Sequence, residues 1–150
     1  MFKANCERNA SKPALLSFDE KLHIWNAISF EELYKKSMIL AKALKLLGMN
    51  FKESVSILAF NHPKWNQIFW GSIMSNSIPV GHYQTNTPET CKDIINDSQS
   101  RVIFVDTREQ LEKILSVQDA TPSLEFIVTF DRISGIEYMS KGNLETLANK

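Results

Sequence analysis

The chain has 150 residues, 43% of them hydrophobic, and its 17 basic and 17 acidic residues cancel. That length suffices for one ordinary domain or for part of a larger one, since domains commonly hold about 100 to 150 residues. The balanced charge argues against a nucleic acid or an anionic membrane as the main partner. Cys6 and Cys91 lie far apart and form no Cys-x-x-Cys pair, which argues against a disulfide scaffold or zinc site and favours a reducing compartment.

The N-terminal region predicts a hairpin followed by a helix. The apolar segments PALLSF and LHIWNAI flank the turn-like residues 19–21, a pattern typical of two short paired strands. Ser29 and Glu32 then have capping-box spacing, so a helix is predicted to begin there and to end at Gly48. The start of the chain, MFKANCERNASKP, lacks an apolar run of signal-peptide length, and no later run approaches the roughly 18 apolar residues of a membrane span.

This first predicted helix has an apolar face at helical spacing. The residues on that face are Phe30, Leu33, Tyr34, Ser37, Met38, Ala41 and Leu44. Ile39 and Leu46 interrupt the opposite, polar face, so we expect part of that face to be covered as well.

Strand and helix patterns alternate along the rest of the chain. The predicted strands are SVSILAF, residues 78–81, RVIFVD and LEFIVTF. Helices are predicted to begin at Pro63 (capped by Asn61 or His62), at Thr87-Pro88, and at Thr107, where Gln110 repeats the capping-box spacing. Because the strands are apolar runs, the sequence predicts an α/β fold with a parallel, flavodoxin-like sheet, flanking helices and a small N-terminal hairpin. In the tail, NLETLA predicts one more short helix.

The usual nucleotide fingerprints are missing from the chain. There is no GxGxxG and no GxxxxGK[ST], and the five glycines are too dispersed for a phosphate-binding loop. His23, His62 and His82 lack metal-ligand spacing, so packing or capping roles are favoured over catalysis for each. The residues alone therefore predict an α/β domain without a self-contained active site.

Several single residues keep two interpretations. Cys91 lies near a predicted helix N-terminus, which can lower a thiol pKa, although a structural cysteine is favoured. Asp106, at a strand end, is either a turn residue or an acid or base. Trp65 and Phe69 have helical spacing in a neutral chain, which favours core packing over stacking on nucleic-acid bases.

Three ordered blocks within about residues 8–130 resemble the N-terminal part of the adenylate-forming acyl-CoA synthetases, and the likeness is greatest to the bubblegum-type long-chain enzymes. The blocks are ILAFNHPKW, GHYQTNTPETC and VDTREQLEKIL. The matching residues are Ile57, Leu58, Phe60, Asn61, Pro63, Trp65, Gly81, Tyr83, Thr85, Asn86, Pro88, Glu89, Cys91, Val105, Asp106, Gln110, Leu111, Lys113, Ile114 and Leu115. The chain departs from the family pattern at residues 75–77, where Ser-Asn-Ser replaces Ala-Gly-Gly, at Lys64, and at His82, where an aliphatic residue is usual.

The resemblance implies an enzyme that activates a long-chain fatty acid with ATP and Mg²⁺ to an acyl-adenylate and transfers the acyl group to coenzyme A. In that family the phosphate loop, the adenosine-binding motifs and the mobile C-terminal domain with its lysine lie downstream of the matched region. Residues 1–150 are therefore interpreted as a partial AMP-binding N-terminal domain, with no catalytic residue of its own, no metal site and no tight cofactor binding. The resemblance also places His82, Tyr83, Gln84, Thr85 and Arg108 near the coenzyme A nucleotide.

Alternatives remain at this point. The chain is a fragment of a ligase that is inactive alone, a non-catalytic binding module that associates with a full-length synthetase, or an unrelated flavodoxin-like domain. For a fragment, exposed sheet edges and apolar faces predict self-association. We expect a cytoplasmic location, and the resemblance is compatible with peripheral contact with the endoplasmic reticulum membrane.

Overall fold

The computed structural model describes residues 1–130, and the predicted NLETLA helix lies outside that range. The chain divides into two compact units. Among the described residues, the first comprises Met1–Phe51 and Asn61–Ser77, and the second comprises Lys52–Phe60 and residues 78–130. Within residues 1–130, no helix is long and apolar enough to cross a membrane.

The first unit contains three helices and one hairpin: α1 (Phe2–Arg8), β1 (Pro13–Asp19), β2 (Ile24–Ser29), α2 (Phe30–Leu46) and α3 (Pro63–Met74). The antiparallel pairing of β1 with β2 confirms the predicted hairpin. Helix α1 was not predicted. It is short and has no side-chain cap, and it is held by tertiary contacts such as the Phe2 ring, which stacks on Trp70 at a centroid distance of 4.0 Å.

Helix α2 begins with the predicted capping box. Ser29 Oγ accepts a hydrogen bond from the Glu32 N–H at 3.2 Å, and Glu32 Oε2 accepts one from the Ser29 N–H at 2.9 Å. These contacts hold the pKa of Glu32 below its usual value. The buried residues of α2 all belong to the predicted apolar face: Leu33, Ser37, Ala41 and Leu44. The prediction that the polar face is partly covered is not met within residues 1–130, because Ile39 and Leu46 are 67% and 74% exposed.

Helices α2 and α3 approach closely where α3 has a glycine. A Cβ added at Gly71 would lie 2.8 Å from Leu40 Cδ2 and 2.9 Å from the Ser37 carbonyl oxygen. Helix α3 is capped by His62, whose Nδ1 accepts from the Lys64 N–H at 3.1 Å. Of the two predicted caps, His62 is therefore the one used.

The segment after α3 shows how the Ser-Asn-Ser departure is accommodated. Asn76 has a φ of 61°, and Asn is one of the few non-glycine residues that tolerate this conformation. Ser75 and Ser77 are buried, but Ser75 Oγ donates to the Ser72 carbonyl at 2.8 Å and lies 3.0 Å from Ser77 Oγ. The polar side chains are therefore satisfied locally.

The second unit is built on a four-stranded sheet. Its strands are β3 (Ser54–Leu58), β4 (Ile78–His82), β5 (Ser100–Val105) and β6 (Phe126–Thr129), in the order β4-β3-β5-β6. All three pairings are parallel, which confirms the predicted sheet. At its amino-terminal edge, Arg101 forms ion pairs with Glu53 and Glu125.

Helices α4 (Pro88–Ser98) and α5 (Arg108–Leu115) pack with the sheet around one apolar core. The core residues are Leu58, Cys91, Ile95, Ile103, Val105, Leu111, Ile114 and Ile127. Sharing one cluster places both helices on the same face of the sheet. The carboxyl-terminal ends of these strands carry the polar residues described next.

Candidate functional site

The candidate site lies at the carboxyl-terminal edge of the sheet, which is where ligands bind in open α/β sheets. Strand β4 ends at His82, and residues 83–86 then form a turn closed by a 3.0 Å hydrogen bond from the Asn86 N–H to the Tyr83 carbonyl. Helix α4 follows, capped by Thr87 Oγ, which accepts from the Thr90 N–H at 3.2 Å. The connection from β4 to α4 therefore consists of one hydrogen-bonded turn and the helix cap.

The side chains of this 83–86 turn divide into exposed and anchored ones. Tyr83 is 81% exposed, and Thr85 is also exposed. Gln84 is half-buried and fixed at both its side-chain amide and its carbonyl group. The turn thus exposes an aromatic ring and a hydroxyl group while Gln84 holds it to the sheet.

Gln84 belongs to a strand-end cluster made of Phe60, Gln84, Asp106, Gln110 and Lys113. Asp106 Oδ2 accepts from the Phe60 N–H at 2.7 Å and from Gln84 Nε2 at 2.9 Å. The Gln84 carbonyl in turn accepts from Lys113 Nζ at 2.7 Å and from Gln110 Nε2 at 3.4 Å. The ends of β3, β4 and β5 are thereby tied to one another and to α5.

This cluster decides the two interpretations of Asp106. It is neither a plain turn residue nor an exposed acid or base, because one carboxylate oxygen binds two donors and the other is buried. Sequence reasoning did not find the tie. The predicted capping box at Thr107 and Gln110 forms only in half: Thr107 Oγ1 accepts from the Gln110 N–H, but the Gln110 side chain donates to the Gln84 carbonyl instead of returning to Thr107.

His82 is buried at the end of β4, with 6% of its surface exposed. Its Nε2 lies 2.9 Å from Ser56 Oγ, which lies 2.8 Å from Ser100 Oγ. Ser98 Oγ continues the series 2.7 Å beyond Ser100 and donates to the Ile94 carbonyl at 2.7 Å. Burial lowers the pKa of His82 to about 4, so its imidazole is neutral near pH 7.

Arg108, the last of the five predicted site residues, begins α5 and is exposed. Its Nε donates to Glu112 Oε1 at 2.8 Å, one turn further along the same helix. Exposed pairs of this kind contribute only about 0.3 to 0.5 kcal/mol. A stronger anionic partner can therefore displace Glu112 at small cost.

The structure also bears on two other sequence interpretations. Cys91 is completely buried in the core, and burial raises the pKa of its thiol, which confirms a structural cysteine. Trp65 and Phe69 stack on each other at a centroid distance of 5.5 Å on α3, as expected for packing residues. Residues 1–130 contain no group of three or more His, Cys, Asp or Glu side chains that could hold a metal ion.

Curated relatives match most of this chain. The long-chain-fatty-acid–CoA ligase ACSBG1 of Rattus norvegicus is 38% identical over 106 residues, which are 71% of this chain and 15% of the relative. ACSBG2 of Mus musculus, a long-chain-fatty-acid–CoA ligase, is 31% identical over 131 residues, which are 87% of this chain and 19% of the relative. The chain thus spans less than a fifth of the length of either relative.

Solved structures share the fold. The anthranilate CoA ligase AuaEII in complex with anthranoyl-AMP has a TM-score of 0.77 and 29% identity, covering 86% of this chain and 24% of that one. The acyl-CoA synthetase of Brucella canis has a TM-score of 0.76 at 14% identity, covering 90% of this chain and 24% of that one, and shows the fold alone. The sequence model for "AMP-binding enzyme" matches residues 2–146. This chain belongs to the AMP-binding enzyme family.

Proposed function

We propose that this chain is one part of an AMP-forming long-chain fatty acid–CoA ligase. Such an enzyme joins a fatty acid to the α-phosphate of ATP with release of pyrophosphate, and the thiol of coenzyme A then displaces AMP to give acyl-CoA. The observation that carries the proposal is 38% identity to a curated long-chain ligase over 71% of this chain. A reading frame that continues past Lys150 and encodes a phosphate-binding loop would support it.

The 150 residues alone are proposed to be inactive. Enzymes of this family use ATP, Mg²⁺ and coenzyme A, but the sequence contains no GxxxxGK[ST] motif, and residues 1–130 contain no group of three or more His, Cys, Asp or Glu side chains that could hold a metal ion. We therefore expect none of the three to bind tightly to this chain. A coupled pyrophosphate-release assay with ATP, Mg²⁺, palmitate and coenzyme A should show no turnover, and robust turnover would contradict the proposal.

The carboxyl-terminal edge of the sheet is proposed to contact the coenzyme A nucleotide. The exposed Tyr83 ring offers a stacking surface for adenine, and the Thr85 hydroxyl lies beside it in the turn. Arg108 would bind phosphate after releasing Glu112. His82 and Gln84 would support the site instead of exposing their side chains to the nucleotide, since both side chains make hydrogen bonds inside the unit.

This nucleotide site is tested in a ligase restored to full length. Replacing Tyr83 and Arg108 by Ala should raise the KM for coenzyme A and leave the KM for the fatty acid unchanged. Replacing Trp25 and Arg8 by Ala is the matched control, because both side chains are exposed and lie in the other unit. An unchanged KM for coenzyme A in the Tyr83/Arg108 variant would refute the proposed nucleotide site.

A second candidate function is a non-catalytic module that associates with a full-length synthetase. The observation that favours it is the exposed apolar surface of the hairpin, where Leu16, Leu22 and Trp25 are all more than 60% exposed. Exposed apolar patches and sheet edges promote association. Co-purification with a full-length ligase would support the module, and oligomers in light scattering would support self-association, whereas a strictly monomeric chain that ignores the ligase argues against both.

The proposed ligase acts in the cytoplasm, with peripheral contact with the endoplasmic reticulum membrane. The support is the lipid nature of its proposed substrate. Fractionation of cells that produce the chain tests this location: recovery in the microsomal pellet that is reversed by alkaline carbonate is the expected result for a peripheral protein.

A further inference from the structure

We propose that Asp106 and Lys113 are positioning residues that hold the 83–86 turn in the conformation that receives the coenzyme A nucleotide. This inference rests on the proposed nucleotide site and adds two residues that do not touch the ligand. Both belong to the strand-end cluster, and neither is among the residues that the family resemblance placed near the nucleotide.

The carboxylate of Asp106 joins three consecutive strand ends of the sheet. Its Oδ2 binds the backbone N–H of Phe60, which follows β3, and the side-chain amide of Gln84, which follows β4. Asp106 itself follows β5 directly. Hydrogen bonds to a charged acceptor are about twice as strong as neutral ones, so this single oxygen is a strong anchor for the turn.

Lys113 fixes the same turn from a second direction. Its Nζ donates to the Gln84 carbonyl at 2.7 Å, across from the side-chain amide that Asp106 binds. Gln84 is therefore held at both its backbone and its side chain, and the Asn86 N–H to Tyr83 carbonyl bond closes the turn around it. With Gln84 fixed, Tyr83 and Thr85 are left exposed.

Such anchoring affects ligand binding through preorganisation. A turn that is ordered before binding avoids the cost of fixing its side chains when the ligand arrives, which is about 0.5 to 1.5 kcal/mol per immobilised side chain. A catalytic role for Asp106 is excluded by its contacts, because Oδ2 is occupied by two donors and Oδ1 is buried. Any effect of Asp106 on coenzyme A binding must therefore act through its hydrogen bond to Gln84.

The first measurement uses the 150-residue chain itself. Asp106→Ala should speed hydrogen exchange at the Phe60 amide, which loses its acceptor, and at the Asn86 amide, which closes the turn. Asp97→Asn is the control, since Asp97 is an exposed acidic residue on α4 in the same unit. Unchanged exchange at Asn86 in the Asp106→Ala chain would overturn the inference, because the turn would then not depend on the tie.

The second measurement uses the ligase restored to full length, with Tyr83→Ala as the test of the nucleotide site itself. Asp106→Ala and Lys113→Met should each raise the KM for coenzyme A roughly two- to tenfold, the equivalent of ordering one additional side chain when the ligand binds. The kcat and the KM for the fatty acid should stay unchanged. Asp106→Asn retains an acceptor oxygen and should recover much of the affinity.

The outcomes separate the inference from the proposed function. If Tyr83→Ala raises the KM for coenzyme A but Asp106→Ala and Lys113→Met do not, the positioning role is wrong and the nucleotide site stands. If none of the three variants changes that KM, the site and the positioning role fail together. Loss of kcat with equal changes in all substrate affinities would show a general structural role, which also overturns the inference.

Discussion

Protonation of His82 should destabilise the second unit in mildly acidic solution. The ring has one partner, Ser56, on Nε2, and its buried Nδ1 has no hydrogen-bond partner among residues 1–130. A proton on Nε2 lets His82 donate to Ser56, which donates to Ser100, then Ser98, then the Ile94 carbonyl. Nδ1 is then a bare acceptor, and protonating it would bury an N–H with nothing to receive it.

The size of the effect follows from the shift in the pKa of His82, which burial lowers from 6.5 to about 4. The unfolded chain binds the proton more readily than the folded chain, so stability is complete above pH 6.5 and is lost as the pH falls towards 4. Each pKa unit is worth about 1.4 kcal/mol. Lowering the pH from 8 to 5 should therefore reduce the free energy of unfolding by about 2 kcal/mol through this group.

The assay is urea unfolding of the chain at a series of pH values, followed by circular dichroism. His82→Leu, which restores the aliphatic residue usual in the family, should flatten the stability curve between pH 8 and 5 by that amount. His23→Asn is the matched control: it removes an exposed imidazole from the hairpin turn and keeps a residue that tolerates the φ of 51° there. If the His82→Leu and wild-type curves run parallel, the reasoning is refuted.

Substitutions at three further positions test packing and backbone conformation in the first unit by urea unfolding. Gly71→Ala should cost about 1 to 3 kcal/mol, since its Cβ would overlap the Ser37 carbonyl; a gain in stability from helix propensity alone would contradict the close approach of α2 and α3. Ser29→Ala should cost about 1 kcal/mol by removing the capping box, and an unchanged midpoint would refute a stabilising cap. Asn76→Gly should be neutral or stabilising while Asn76→Val costs about 1 to 2 kcal/mol, and equal effects would show that the positive φ is unimportant.

Most helices and strands were predicted from the sequence, because they are determined by contacts and patterns within a few neighbouring residues. Ser29 with Glu32 and Thr87 with Pro88 mark helix starts through contacts within one turn, and all of these contacts form. The apolar runs predicted the parallel strands, because a strand buried on both faces has no polar alternation. Helix α1 escaped prediction because its support, Phe2 stacked on Trp70, joins residues far apart in the sequence.

For the same reason, the sequence located the residues of the candidate site but not the contacts that hold them. The resemblance selected residues 82–85 as contiguous letters, and the structure does place them at the strand ends. The tie from Asp106 to Phe60 and Gln84 spans 46 and 22 positions, and no periodic pattern records such a contact. The resemblance places His82 near the nucleotide, and the structure adds a contact that the sequence did not indicate, between the His82 side chain and Ser56 inside the unit.

The distribution of unsatisfied polar atoms supports the carboxyl-terminal edge as the functional part of this unit. Of the five buried side-chain polar atoms without a partner in residues 1–130, three lie near this edge: His82 Nδ1 at the end of β4, Asp106 Oδ1 directly after β5, and Gln110 Oε1 in the first turn of α5. Each such atom costs about 1 to 3 kcal/mol, and the amino-terminal edge instead pairs Arg101 with two carboxylates. Proteins break the rule of polar satisfaction mainly at functional sites. An edge that retains these costs, and also exposes Tyr83 beside an anchored Gln84, is consistent with the proposed nucleotide site.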